Sequence, residues 1–370
     1  MEFTVNKSDL VRELSLSQGV VEKKTTIPIL SNVLLEADAE QLVITATDLE
    51  LGIRCKCPAQ VAKSGAGTIP ARRLLDYVRL LPDAELSVKF QENHWAQLVC
   101  GRSRTRIAGM SRESFPELPA MPQVIAEVRA GLLASMIGRT IFAISAEESR
   151  FTLNGSLLLL KPDSITMVAT DGHRLSMVEK AEPVEGITSA YRALLPRKAM
   201  GEILKLVADS ASDAVVRFSG DENHLFFEFG DRLLMSRKLT GNFPDFERVL
   251  PKEHPYVVVL GRDDLRAAIE RVSQFADERS RAIRMQIMAG EIRVFSSLSE
   301  TGESEESMPV AYDGPEVEMG FNAQYLLDFL RAVGEEQVGF YFKDPHSAGE
   351  MRPSGQSEYT YRYVVMPMRI

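Results

Sequence analysis

Ile69-Pro70-Ala71-Arg72-Arg73-Leu74-Leu75-Asp76-Tyr77-Val78, Leu195-Pro196-Arg197-Lys198-Ala199-Met200-Gly201-Glu202-Ile203-Leu204 and Phe321-Asn322-Ala323-Gln324-Tyr325-Leu326-Leu327-Asp328-Phe329-Leu330 are three versions of one pattern. Their second residues fall at 70, 196 and 322, two successive steps of 126. A strand-like end leads through Pro or Asn into apolar residues at helical spacing. Pro at the start of a helix lacks only an N–H that would be unpaired there, and Asn can cap. A repeat of this length means that one structural unit occurs three times along the 370-residue chain.

Other landmarks recur in step. Asp48 in Thr45-Ala46-Thr47-Asp48-Leu49 returns as Asp171 in Val168-Ala169-Thr170-Asp171-Gly172. Glu92-Asn93-His94-Trp95 returns as Glu222-Asn223-His224-Leu225, and Phe115-Pro116 as Phe243-Pro244. A second helical stretch precedes each of the three, at Ser8–Val20, Ala130–Ile141 and Arg262–Val272. Between the helices, Gln41–Ala46, Leu157–Leu160, Val215–Phe218 and Glu291–Phe295 read as strands. Turn signals at Gly220-Asp221, Asp313-Gly314 and Ser354-Gly355 separate them. The expected fold is α+β, as three similar domains at 1–120, 121–253 and 254–370, with joins near Pro119–Pro122 and His254–Pro255.

Hydrophobic residues are 45% and charged residues 26% of the chain, as in ordinary globular proteins. No apolar run reaches the roughly 18–20 residues that a bilayer crossing needs. Met1–Val11 lacks the basic and apolar regions of an export signal. Cys55, Cys57 and Cys100 are an odd set without framework spacing, which fits a reducing cytoplasm, the expected location.

Catalytic signatures are missing. There is no phosphate loop, zinc helix or nucleophile elbow. Cys55 and Cys57 share one face of a strand, but a metal site needs a second pair and only Cys100 remains. Asp171-Gly172-His173-Arg174 could hold a base, although a tight turn fixed by Gly172 with exposed polar neighbours is the favoured account. A hydrolase centred on Asp171 and His173 is therefore one competing class; a monomeric peptide-binding scaffold that never meets DNA is another.

Charge is distributed unevenly. The chain carries 43 basic and 52 acidic residues, a net −9 that speaks against a polyanion partner. Yet the six helical segments with their flanks hold 16 basic and 9 acidic residues, leaving 27 and 43 for the rest. A polyanion could be met by the helices alone. Arg102, Arg104 and Arg106 alternate, so all three project from one face of an extended segment, and an acidic tract follows at Glu300, Glu303, Glu305 and Glu306. The chain ends Tyr363-Val364-Val365-Met366-Pro367-Met368-Arg369-Ile370. Val364–Val365 suits a core strand, Pro367 cannot continue a ladder, and methionines make adaptable binding surfaces.

Together, Ile27-Pro28-Ile29-Leu30-Ser31-Asn32, Thr47-Asp48-Leu49-Glu50, Leu153-Asn154-Gly155, Ala169–Leu175, Phe243-Pro244-Asp245 and Met366-Pro367-Met368-Arg369 resemble the bacterial DNA polymerase III beta subunits, the sliding clamps, from end to end. The resemblance implies a head-to-tail homodimeric ring of the DNA clamp fold, with helices lining the hole and antiparallel sheets outside. It implies no catalysis, cofactor, metal or membrane. Its implied partners are duplex DNA bound without sequence preference, a second copy of the chain, the clamp loader complex, the replicative DNA polymerase, and other clamp-motif peptides of replication and repair proteins. For the peptide pocket it implies Leu153, Thr170, Gly172, His173, Arg174, Leu175, Pro244, Arg248, Val249, Ser347, Val364, Val365, Met366, Pro367, Met368 and Arg369, with His173 and Arg174 as polar edges. For DNA it implies Lys24, where relatives often have arginine, and Arg73, Arg197 and Lys198 on the helices. For the dimer contact it implies Arg102 and Arg104 opposite Glu300 and Glu303, while Arg106 stands where an apolar side chain is expected.

Overall fold

The computed structural model describes residues 1–21, 26–147, 149–208, 210–211, 213–298 and 302–369. Within them one element order occurs three times. The first pass is β1 (Glu2–Asn6), α1 (Lys7–Ser17), β2 (Asn32–Asp38), β3 (Gln41–Thr47), β4 (Leu51–Pro58), a short extra β5 (Gln60–Lys63), β6 (Gly65–Pro70), α2 (Ala71–Leu80), β7 (Glu85–Phe90), β8 (Trp95–Cys100) and β9 (Ser103–Ala108). The second is β10 (Ala126–Arg129), α3 (Ala130–Thr140), β11 (Gly155–Lys161), β12 (Ser164–Thr170), β13 (Arg174–Lys180), β14 (Tyr191–Pro196), α4 (Arg197–Leu206), β15 (Val215–Gly220), β16 (His224–Phe229) and β17 (Arg232–Arg237). The third is β18 (Tyr256–Gly261), α5 (Arg262–Val272), β19 (Ala282–Met288), β20 (Glu291–Leu298), β21 (Gly302–Pro309), β22 (Val317–Asn322), α6 (Ala323–Ala332), β23 (Gln337–Phe342), β24 (Gly349–Pro353) and β25 (Thr360–Val365).

The helix starts follow from the Pro and Asn positions. Helices α2, α4 and α6 begin directly after Pro70, Pro196 and Asn322, so the apolar lead-in closes the preceding strand. Asn322 caps α6 by accepting the Gln324 N–H at 2.9 Å, and Asn6 caps α1 from Ser8 at the same distance. Helices α2 and α6 each bury one stripe at i, i+3, i+4 and i+7, Ala71, Leu74, Leu75 and Val78, and Ala323, Leu326, Leu327 and Leu330, while α4 buries Ala199, Met200, Ile203 and Leu206 at i, i+1, i+4 and i+7. Helix α5 spans Arg262–Val272 as expected, whereas α1 stops at Ser17 and the chain turns there, Val20 N–H bonding back to the Ser17 carbonyl at 3.1 Å.

The chain forms two compact units, Met1–Ala134 with Lys198–Lys238, and Ser135–Arg197 with Leu239–Ile370. The first holds a sheet ordered β5-β1-β7-β8-β9 and another ordered β10-β15-β16-β17-β4-β3-β2-β6; the second holds β14-β11-β12-β13-β25-β24-β23-β18 and β21-β20-β19-β22. Each eight-stranded sheet is two four-stranded sheets from successive repeats, joined edge to edge. At the first joint β4 pairs antiparallel with β17, bringing Ile53 opposite Leu234 and Gly52 opposite Met235. At the second, β13 pairs with β25, bringing Leu175 opposite Val364 and Val178 opposite Tyr361. Strands β9 and β21, the counterparts of those joining edges, remain at the margins of their sheets. This joining is why three sequence repeats become two compact units: the middle repeat contributes one sheet to each.

A buried carboxylate fastens the second unit. Glu350 on β24 is fully buried between Arg352, Arg362 and His254, with Nε of Arg352 at 2.7 Å and Nε2 of His254 at 2.8 Å. Burial alone would raise its pKa, but the hydrogen bonds from Arg362, Arg352 and His254 prevail and hold it at about 2. A carboxyl group depressed in the folded state stabilises fully above its unfolded value of 4.5 and loses that contribution as pH falls through about 2. Urea titrations between pH 5 and 2 should therefore show stability falling in that window, and Glu350→Gln should flatten the slope there while lowering stability at neutral pH.

Candidate functional site

A tight turn, Asp171–His173, links β12 to β13. Oγ of Thr170 accepts the Gly172 N–H at 3.1 Å and donates to the Arg174 carbonyl at 2.6 Å. Oδ1 of Asp171 accepts the N–H groups of His173 and Arg174 at 2.9 and 3.0 Å. Gly172 takes φ +90°, which a side chain would oppose. The first repeat builds the same turn: Oδ1 of Asp48 accepts from Glu50 and Leu51 at 2.9 and 2.6 Å, and Leu49 is forced to φ +79°. The recurring Asp is thus a turn-former, and Asp171 is occupied by backbone donors and by Arg174 rather than poised beside His173 as half of a hydrolytic pair. Among the described residues no group of three or more His, Cys, Asp or Glu is placed to hold a metal. Burial first, and Glu13 nearby, push the Cys57 thiol up to about 12 and Cys55 higher still, so neither is a reactive thiolate.

Beneath this turn lies an apolar floor of Leu157, Val168, Leu175, Met177, Leu194, Phe243, Phe246 and Val364, with Leu239, Leu250 and Ala348 packed against it. Around it stand three segments. The chain at 243–250 presents exposed Pro244, Arg248 and Val249, with Arg248 paired to Asp245 at 2.8 Å. The loop at 344–348 carries Ser347, whose hydroxyl bonds Asp344 at 2.7 Å. The C-terminal tail leaves β25 after Val365: Met366 N–H bonds the His173 carbonyl at 2.9 Å, and Met368 N–H bonds the Gly320 carbonyl at 2.8 Å. Pro367, Met368 and Arg369 then edge a cleft of about 320 Å³ with Met319, Pro345 and His346. Leu153 stands in the turn 151–153, held to the same corner because Arg150 donates to the Asp171 carbonyl at 2.9 Å.

The sixteen residues expected for a peptide pocket all lie in the second unit, at different depths. Gly172, His173, Pro244, Arg248, Val249, Met366 and Arg369 are exposed; Leu153, Ser347, Pro367 and Met368 are half-buried; Thr170, Leu175, Val364 and Val365 are buried, Leu175 and Val364 in the floor. Arg174 differs from its expected place as a polar edge. It is only 9% exposed and turned inward, its guanidinium bonding Asp171 at 3.0 Å, Asp328 at 2.6 Å and the Phe142 carbonyl at 2.6 Å. Desolvation would lower its pKa, but Tyr363 and the two carboxylates raise it. Sequence reasoning missed Asp328 and Phe142, which lie far from Arg174 in the chain; it also missed Phe246 as floor, although Phe243-Pro244-Asp245-Phe246 carries the spacing.

Of the expected DNA contacts, Arg73 and Arg197 are exposed on α2 and α4 and have no ion-pair partner among the described residues. Lys198 is exposed but its amine bonds the carboxylate of Asp48. Lys24 and Glu300 lie outside the described residues. On edge strand β9, Arg104 and Arg106 point outward from one face, with Arg102 in the preceding turn; Arg106 stacks 5.0 Å over Trp95. On edge strand β21, Glu303 and Glu305 are exposed, and Glu306 is taken by Arg271 at 2.6 Å.

Comparison with known proteins agrees with this architecture. Residues 1–119, 127–245 and 247–369 match the family descriptions of the N-terminal, central and C-terminal domains of the DNA polymerase III beta subunit. The Beta sliding clamp of Pseudomonas putida is 35% identical over 373 residues, covering all of both chains. The crystal structure of the Pseudomonas aeruginosa DNA polymerase III subunit beta superposes with a TM-score of 0.94 at 34% identity, and the Caulobacter crescentus sliding clamp with 0.92 at 33%, each over the full length of both chains. With its threefold α+β fold and full-length matches, the chain belongs to the DNA polymerase III beta subunit family, the non-catalytic sliding clamps that make DNA polymerases processive.

Proposed function

We propose that two copies of the chain close head to tail around duplex DNA as a ring and tether the replicative polymerase in the bacterial cytoplasm, each copy built of clamp domains at 1–120, 121–253 and 254–370. The observation that carries this reading is the pattern of sheet joints. An exposed strand edge is a template for pairing, and the repeat covers it in one way, β4 on β17 and β13 on β25. The next pair in that series is β21 of one copy on β9 of another, which makes a heterologous contact that closes after two copies.

The joints also support one register for that contact. Counting from the two-residue turns, in which Cys100 faces Ser103 and Phe229 faces Arg232, Arg104 is the counterpart of Leu233 and Arg106 of Met235. On the other side, Ser297 faces Glu303 as Thr47 faces Gly52, so Glu303 and Glu305 stand for Gly52 and Arg54. Transferring the first joint then sets Glu303 against Arg106, Glu305 against Arg104, and Ser304 against Thr105. Opposite charges meet directly across the ladder, which supports this pairing. Arg106 is accommodated by a carboxylate instead of an apolar neighbour.

Phosphates of the enclosed duplex would meet Arg73 and Arg197, with Lys24 and Lys198 adding charge; such contacts attract without reading sequence and so permit sliding. The pocket under the His173 turn would take an extended peptide with apolar anchors, in a site of mixed apolar walls and few polar groups. Clamp loader, polymerase and repair proteins presenting such peptides would share it.

Three outcomes are expected. Light scattering should give about 82 kDa, two copies of the 41.2 kDa chain, at micromolar concentration; a monomer would count against the ring. Thr105→Cys with Ser304→Cys should give a disulfide between copies on mild oxidation, whereas cross-linking only from Thr105→Cys to a shifted position such as Ser307→Cys would refute the register. Deleting Met366–Ile370 should abolish polymerase stimulation in primer extension and leave the dimer intact.

A further inference from the structure

Arg174 lies under the His173 turn and is gripped from two directions. Toward the pocket it bonds Asp171, whose other oxygen shapes the turn, and the turn in turn receives the tail through Met366 N–H on the His173 carbonyl. Away from the pocket it bonds Asp328 on α6 at 2.6 Å, and the Tyr325 ring one turn earlier on that helix sits 4.3 Å from the guanidinium. Asp328 is itself oriented: its second oxygen accepts the Gln324 side-chain amide at 2.6 Å, and the Gln324 oxygen accepts from Arg281 at 3.2 Å. Tyr325 is fixed in the same way, its carbonyl accepting the hydroxyl of the fully buried Tyr363 at 2.8 Å. A line of hydrogen bonds therefore runs from α6 through Arg174 to two rims of the pocket, the turn and the tail.

Taking the peptide-pocket reading as its basis, we propose that Asp328 is a positioning residue for peptide binding: it holds Arg174, and through it the His173 turn and the Met366 tail, in the receptive geometry without touching the peptide. A buried guanidinium that loses one of two carboxylates must find another acceptor or draw in water, and its nearest recourse is to pull on Asp171. The cost falls on the rim, because Asp171 accepts two of the backbone N–H groups of the turn.

The test uses the full-length chain and a fluorescein-labelled synthetic peptide with leucine and phenylalanine anchors, read by anisotropy. Asp328→Asn keeps the shape and removes the charge; it should weaken binding about three- to thirty-fold, the range of coupling through packed networks. Backbone hydrogen exchange should quicken at His173, Arg174 and Met366, with exchange in the first unit unchanged. Met366→Ala, on the rim, should weaken binding while leaving exchange at His173 and Arg174 as in the unaltered chain. Unchanged affinity in Asp328→Asn with quickened exchange would overturn the positioning role and leave the pocket standing. No binding to the unaltered chain, or none of the expected loss in Met366→Ala, would overturn the pocket reading itself. Should Asp328→Asn not fold, Tyr325→Leu removes the ring from the guanidinium and must show the same combination of weaker binding and faster exchange, or the proposal fails.

Discussion

The edges of β-sheets govern this molecule. Four strands with a free edge invite any other strand to pair, and a chain that repeats such a sheet must cover or protect its edges or risk aggregation. Of the three equivalent strands β4, β13 and β21, two are covered within the chain, by β17 on β4 and β25 on β13. Everything else depends on these joints. They bring the tail of β25 beside the turn before β13, and so place the C-terminal residues next to Leu175 and Phe246. They also leave β9 and β21, the counterparts of the joined strands, at sheet margins among the described residues.

The same joints explain why one repeat can differ so much in chemistry from another. Where the pairing lies within the chain the joints include apolar pairs, Ile53 with Leu234 and Val178 with Tyr361 among them. Where it would form between chains, the edges must survive in water beforehand, and they carry Arg104, Arg106, Glu303 and Glu305 instead. Charge on an edge strand thus serves twice: it keeps the free chain from indiscriminate pairing and selects the partner edge of opposite sign. Trp95 beneath Arg106 keeps that guanidinium extended without neutralising it.

Much of this was legible in the residues. The step of 126 located α2, α4 and α6, because Pro70, Pro196 and Asn322 impose a helix start by local chemistry alone. The Asp48 and Asp171 turns were visible as recurring letters, although their purpose, catching two backbone N–H groups, needed coordinates. What the residues could not disclose was depth. Arg174 looks like a polar edge in Asp171-Gly172-His173-Arg174, and nothing local reveals that a carboxylate 154 positions away takes it inside. Lys198 similarly looks free until Asp48, 150 positions earlier, is found against it. Long-range ion pairs leave no period in a sequence, and so the strand and helix pattern was readable while the partners of its charges were not.

The shared middle repeat has a consequence for biogenesis. Because β10, β15, β16 and β17 complete a sheet with strands from the first repeat, while β11 to β14 await strands near the C-terminus, the two sheets of the middle repeat are completed only by its neighbours. As the chain emerges from the ribosome, the edge of β4 stays open until β17 has appeared, just under two-thirds of the way through synthesis, and that of β13 until β25, almost at the end. Nascent chains of this protein therefore spend most of their synthesis with a pairing-competent apolar edge, a stretch in which holding by a chaperone has a defined strand to protect.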